Sequence, residues 1–193
     1  HKFFYKSHFL KNISIKRDLY MIIGFPNDNL YKINKKLLEW NHLADVSQLE
    51  VDLNQFPEHQ SYFPKGRISE FDDKFCRLIE FNNMKHNNIR EYLSIENLNW
   101  RYFEHPLNNY AVFISLDDTK HVNGYIVLKL YHSNIGLKGH VMEIVTFDDF
   151  SDMDLLFKSA IGYFNWANCK SISLWSSKSD YKYNYFKKNG FKE

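Results

Sequence analysis

A planar cation beside a large indole, Trp100-Arg101, is one of the few pairs in this chain suited to holding a polar ligand. The guanidinium fork can grip a carboxylate or phosphate while the indole lines the pocket. The same pair can equally fix a helix end, with the Trp buried and the Arg in a structural ion pair. Trp175, at the end of an apolar run, could floor a sugar-binding cleft, or simply pack in the core. Asn27 follows Gly24-Phe25-Pro26 at a strand exit, where side chains often face a cleft, and capping of the next helix explains it as well. Glu143 interrupts the apolar run Val141-Met142-Glu143-Ile144-Val145. A carboxylate acts as a general base when it is held near an amine with a raised pKa. The alternative is a strand residue that reaches solvent or pairs with a lysine. Cys76 and Cys169 have no acid–base partner nearby in sequence, so a catalytic thiol is not expected. The nine histidines form no His-x-x-x-His pair, and no metal site is expected.

The bulk properties bound the rest. A chain of 193 residues with 18 % aromatics has ample material for one large core or one and a half smaller ones. The net charge of +2 argues against a dedicated nucleic-acid binder, which needs a basic stripe. No run approaches the roughly 18 apolar residues of a membrane span. Two distant cysteines make no disulfide framework, which points to a reducing cytoplasm. The first residues lack a signal peptide's apolar core and an initiator Met, so the chain reads as an excised fragment. Lys35-Lys36 and Lys187-Lys188 read as solvated helix faces.

Apolar spacing then sets the elements that must position these residues. Leu19 to Ile23 reads as a buried strand, stopped by Gly24-Phe25-Pro26-Asn27, and Leu30 to Trp40 as a helix. Val46 to Phe56 alternates as a strand, and Pro57 to Gly66 is the linker candidate. Phe71 to Met84 and Arg90 to Tyr102 are helical, the second ending near Pro106. Three strands follow, Tyr110 to Leu116, Gly124 to Tyr131 and His140 to Phe147. Ser151 or Asp152 is expected to cap a helix from Met153 to Asn168 with the stripe Leu156, Ala160, Phe164 and Ala167. A strand, Ser171 to Trp175, and a helix, Tyr181 to Lys188, complete a mixed α/β order.

From residue 68 onward this order resembles the GNAT superfamily, the acyl-CoA-dependent N-acyltransferases. The ending Tyr185-Phe186-Lys187-Lys188-Asn189-Gly190-Phe191 is similar to the family's Tyr-x-x-x-Gly-Phe pattern. Asn97-Leu98-Asn99-Trp100-Arg101-Tyr102 and His105-Pro106 look like a bacterial subgroup with two tandem GNAT units, and Gly24-Phe25-Pro26-Asn27 looks like the fifth-strand exit of its first unit. The resemblance implies a GNAT-like mixed, mostly antiparallel sheet flanked by helices. Residues 1–57 would be the C-terminal part of a first unit, 58–67 a linker, and 68–193 a second unit without its last strands.

The same resemblance implies an acyl group moved from acetyl-CoA, or another acyl-CoA, to an amine, with an amino sugar of surface polysaccharide synthesis as one acceptor. Glu143 would relay the amine's proton. Tyr185, or Tyr183, would be the acid toward the thiolate, although counting back from Gly190 puts Phe186 at the family's tyrosine position. Backbone amides at Val145, Thr146 and Phe147 would hold the thioester, and Asn27, Trp100, Arg101 and Trp175 the acceptor. The family's phosphate loop, Arg/Gln-x-x-Gly-x-Gly/Ala, has no counterpart in Asp148-Asp149-Phe150-Ser151-Asp152-Met153-Asp154, which holds four acids and no glycine. Two other readings are a non-catalytic acceptor-binding or scaffold module and a tandem-GNAT aminoacyl transferase. No nucleic acid, membrane or metal partner is expected, and oligomeric state has no signal.

Overall fold

The computed structural model describes residues 28–37, 42, 45–57, 66–84, 92–107, 109–134, 136–147 and 150–193. The expected strand from Leu19 to Ile23 and Asn27 lie outside them. The chain divides into two compact units, 1–45 and 46–193. In the first, α1 (Asp28–Leu37) is described, with the Tyr31 ring edge-on to His42 at 5.9 Å.

The second unit begins at Val46, eleven residues before the expected end of the first unit at residue 57. The reason is hydrogen bonding. β1 (Val46–Asp52) pairs antiparallel with β6 (Ser171–Ser177) along its whole length, which ties it to the later sheet. Between them run β2 (Arg67–Ile68), α2 (Cys76–Met84), α3 (Ile95–Tyr102), β3 (Tyr110–Leu116), β4 (Val122–Ser133), β5 (Gly136–Thr146) and α4 (Phe150–Trp166). α5 (Tyr181–Lys188) follows β6. The sheet is mixed and mostly antiparallel, in the order β1-β6-β5-β4-β3-β2. The fold class expected from the sequence is the one observed.

Alternation along β3 and β4 sends side chains to two cores. Ala111, Phe113, Ile126 and Leu128 pack with Leu156, Ala160 and Phe164 of α4, three of the four residues named for its stripe. Val112, Tyr125 and Val127 pack on the opposite face with Leu78 of α2 and Leu98 and Tyr102 of α3. α4 starts at Phe150, so Ser151 and Asp152 lie inside its first turn and neither is the cap. α3 starts at Ile95, where the Ser94 hydroxyl accepts the Asn97 N–H. At the end of α5, Gly190 has φ +88°, which favours glycine, and the reversal brings Phe191 back onto Phe157 and Phe186. That is the physical content of the Gly-Phe ending.

β5 departs from simple alternation. Val127 pairs with Glu143 but Leu128 pairs with Val141, so β5 carries one extra residue, Met142. Val141 and Ile144, three apart, therefore both face α4, while Met142 and Val145 join the other core.

Gly139 lies under α4, and a Cβ there would come within 2.5 Å of the Phe164 ring. Gly139→Ala should cost about 1–3 kcal/mol through this overpacking, measured by urea denaturation.

Candidate functional site

The site begins where two parallel strands part. β5 and β6 share only three register pairs, Gly139 with Ile172, His140 with Ser173 and Val141 with Leu174. Beyond them β5 keeps its pairing to β4 as far as Thr146, and β6 keeps its pairing to β1 as far as Ser177. The sheet thus opens at one seam, next to the extra residue Met142. Past that point Lys182, in the first turn of α5, donates from Nζ to the Ile144 carbonyl at 2.7 Å. This is a tie between the two halves.

Glu143 follows the bulge and faces α3. It accepts a hydrogen bond from the Tyr102 hydroxyl at 2.8 Å. The Arg101 guanidinium lies 5.2 Å from the Tyr102 ring centre. The buried Tyr125 hydroxyl also lies near Glu143. Burial first, then the charge of Glu143, pushes its pKa well above the usual phenol range. One carboxylate thus sits among two protonated phenols. α3 is placed for this by helical spacing, since Leu98 and Tyr102 are one turn apart and both buried. The Asn99 side chain also clasps the Phe71 backbone N–H and carbonyl at 2.7 and 2.9 Å.

Tyr185 lies on the other side of the sheet. Its hydroxyl donates to Asp154 at 2.6 Å, and its ring packs between Phe150, Phe157 and Phe186. Burial, then the Asp154 hydrogen bond, raises its pKa far above the normal range. Tyr183 donates to Glu193. Glu143 and Tyr185 are therefore in different cores and are not brought together.

The acceptor candidates also separate. Trp100 is 63 % exposed, on the helix side away from Leu98 and Tyr102. Trp175 is 59 % exposed, with its ring edge-on to His140 at 6.3 Å. Beside it is a polar group that scattered histidines in sequence did not reveal. His140 Nδ1 is 2.9 Å from the Ser173 hydroxyl, and the Tyr131 hydroxyl is 3.2 Å from the same oxygen. The signal was parity, because Tyr131, His140 and Ser173 share a face only once the strands are in register. Burial, then Lys129, lowers the His140 pKa, so the ring is neutral at neutral pH. Burial pushes the Cys169 thiol up to about 11, which removes it as a nucleophile.

Val145 and Thr146 are buried opposite Tyr125 and Gly124. Phe147 turns toward α2, with its ring 4.9 Å from Phe81 and 5.2 Å from the Arg77 guanidinium. A diphosphate does not fit the start of α4, because its first five residues carry Asp152 and Asp154, no basic side chain and no glycine. Among the described residues no helix is long and apolar enough to cross a membrane.

No family model and no curated protein matches the chain. Solved structures do. A GCN5-related N-acetyltransferase from Anabaena variabilis superposes with TM-score 0.53 at 14 % identity, over 91 % of this chain and 43 % of that one. A tandem GNAT protein from the clavulanic acid biosynthesis pathway gives 0.54 at 9 % identity, over 89 % and 57 %. A probable N-acyltransferase of unknown function from Enterococcus faecalis gives 0.53 at 8 % identity, over 90 % and 42 %. The chain thus spans less than two thirds of each of these structures, and its fold is that of the GNAT N-acetyltransferases.

Tyr102→Phe removes a hydrogen bond to a half-buried carboxylate and should destabilise the chain by about 1–3 kcal/mol in urea denaturation. His140 should titrate by NMR below the usual value of about 6.5. Since its folded pKa is depressed, its contribution to stability is present above the unfolded value and is lost as pH falls through that value toward the folded one.

Proposed function

We propose that the chain is part of an acyltransferase that moves an acyl group from a thioester to an amine, with Glu143 as the proton acceptor. One observation carries this reading. A half-buried carboxylate, oriented by the Tyr102 hydroxyl, stands next to the bulge where β5 and β6 separate. An extended donor lying in the seam would end beside that carboxylate. The Tyr102 hydrogen bond orients the carboxylate toward an attacking amine whose proton it would take. Backbone amides between Val145 and Phe147 would face the donor's carbonyl. Arg101, over the Tyr102 ring, would meet an anionic acceptor, and Trp175 with His140 would flank a sugar acceptor. Trp100 and Tyr185 are left with structural roles, Tyr185 because its proton is held by Asp154. Acetyl-CoA as the donor requires that its diphosphate be held by groups other than the start of α4.

A second reading has its own observation. Lys182 spans the seam, and α4 opens with acids. Both favour a unit that binds the acceptor or braces a partner unit and leaves the thioester elsewhere. The aminoacyl-transferase alternative gains nothing from the near-neutral charge.

Release of free thiol from acetyl-CoA, followed over a panel of amines and amino sugars, separates these readings. On the first, the chain turns over, and Glu143→Gln lowers kcat by about a hundredfold or more with little change in KM. On the second, there is no turnover with any acceptor, while calorimetry still detects acceptor binding.

A further inference from the structure

On the sheet face away from α4, four strands bring a polar row together. Ser173 of β6 stands in register with His140 of β5 on one side and Glu50 of β1 on the other, and His140 with Lys129 of β4. Ile172 and Leu174 turn into the α4 core, so Ser171, Ser173 and Trp175 face the other way. The helices on that side pack on β3, β4 and β5, and no β1 or β6 side chain joins their core. Ser173 is nevertheless fully buried. Its hydroxyl meets the Gly139 carbonyl at 3.3 Å, the Tyr131 hydroxyl at 3.2 Å and His140 Nδ1 at 2.9 Å. A hydroxyl carries one proton. Given to the Gly139 carbonyl, it leaves the oxygen to accept from the Tyr131 O–H and from Nδ1–H, and all three contacts are met. That sets the imidazole proton on Nδ1 and leaves a bare lone pair on Nε2. Nε2 has no hydrogen-bond partner among the described residues, and it is not closed off from solvent. Trp175 stands edge-on to the same ring and is largely exposed.

The kind of ligand follows from the charges on this face. Lys138 is matched by Glu50 at 2.5 Å, and Glu50 also accepts from the Ser171 hydroxyl at 2.6 Å. Glu143, further along β5, is held by Tyr102, and Lys129 lies 5.6 Å from the Tyr110 ring centre. Burial, then the charge of Lys129, keeps the His140 ring neutral. The same positive charge disfavours an ammonium at Nε2, whereas a neutral O–H suits a bare lone pair. A ring with hydroxyls on its rim and C–H groups on its face matches an acceptor beside an open indole. We infer that Trp175 and His140 form a subsite for a neutral sugar, with the ring laid on the indole and one hydroxyl donating to Nε2. The inference rests on the proposed reading only in taking this side of the sheet as the acceptor side, and the binding itself needs neither a thioester nor Glu143.

Calorimetry and histidine NMR on the 193-residue chain test it, with the methyl glycosides of glucose, galactose and mannose, each set against its fully O-methylated form. At least one glycoside should bind with a millimolar Kd. Its O-methylated form should bind about tenfold more weakly or worse, because Nε2 is then left unpaired. Trp175→Ala, at an exposed position, should weaken the glycoside about tenfold or more. His140→Phe should weaken it about three- to tenfold. Trp166→Ala, an exposed indole at the end of α4, should change nothing. A hydroxyl donor needs the neutral ring, so binding is present at neutral pH and lost as pH falls through the folded pKa of His140. By linkage, saturating glycoside should move the His140 midpoint further down, by about one unit for a tenfold preference for the neutral ring. The inference is overturned if no glycoside binds, if the O-methylated form binds as well, if Trp175→Ala binds as the parent does, or if the His140 midpoint stays in place. None of these readouts involves acyl transfer. Glycoside binding without turnover would tell against the transfer reading alone, and turnover without glycoside binding against this inference alone.

Discussion

The extra residue in β5 is the constraint on which the rest of the site depends. Side chains on a strand alternate, so one inserted residue changes the face of everything after it. Without Met142 as a bulge, Val141 and Ile144 could not both reach α4, and Glu143 would not stand opposite Val127 on the face that carries Tyr102. The bulge also bends the strand, and the parallel contact with β6 ends at Val141, one residue earlier. Orientation of the carboxylate and opening of the seam therefore have a single local cause. The apolar neighbours on both sides of Glu143 hold that arrangement in place, since a slip of register would bury the carboxylate against α4.

Much of the architecture was legible in the sequence, for reasons that differ by element. The α4 stripe and strands β3 and β4 could be read because burial on one or both faces leaves a strong apolar pattern. β2 was not, because two residues carry no periodicity, and its place comes from pairing with Val112 and Phe113. β1 is legible as a strand, but which strand it pairs with is not. Composition marks the prolines after it, whereas its hydrogen bonds go to residues at the far end of the chain. The start of α4 was placed three residues late because Ser and Asp read as caps.

The site was less legible than the fold. Glu143 draws attention through resemblance and its position in a strand, and the structure sets the Tyr102 hydroxyl on it. Its partner was missed by one position. Trp100 and Arg101 drew attention by residue type, while helical spacing puts Tyr102 on the carboxylate and Trp100 in solvent. His140 with Ser173 could not be found from local spacing. The two lie on different elements and meet only when the sheet is in register. The acidic opening of α4 was read as a missing phosphate loop. The structure adds that one of those acids, Asp152, is folded inward.

The pairing of β1 with β6 has a consequence for how the chain acquires its shape. Ser171 reaches Glu50 across 121 residues of sequence, whereas β3, β4 and β5 are joined by short turns. The central meander is low in contact order and can form early. The outer strand must wait until β6 exists, and its closure carries the entropy of a very long loop. During synthesis β1 emerges well before its partner. A half-apolar strand, Val46 to Asp52, is then left with an open edge until β6 has been made. Its alternate polar residues, Gln48, Glu50 and Asp52, are what keep that waiting strand from pairing with the wrong neighbour.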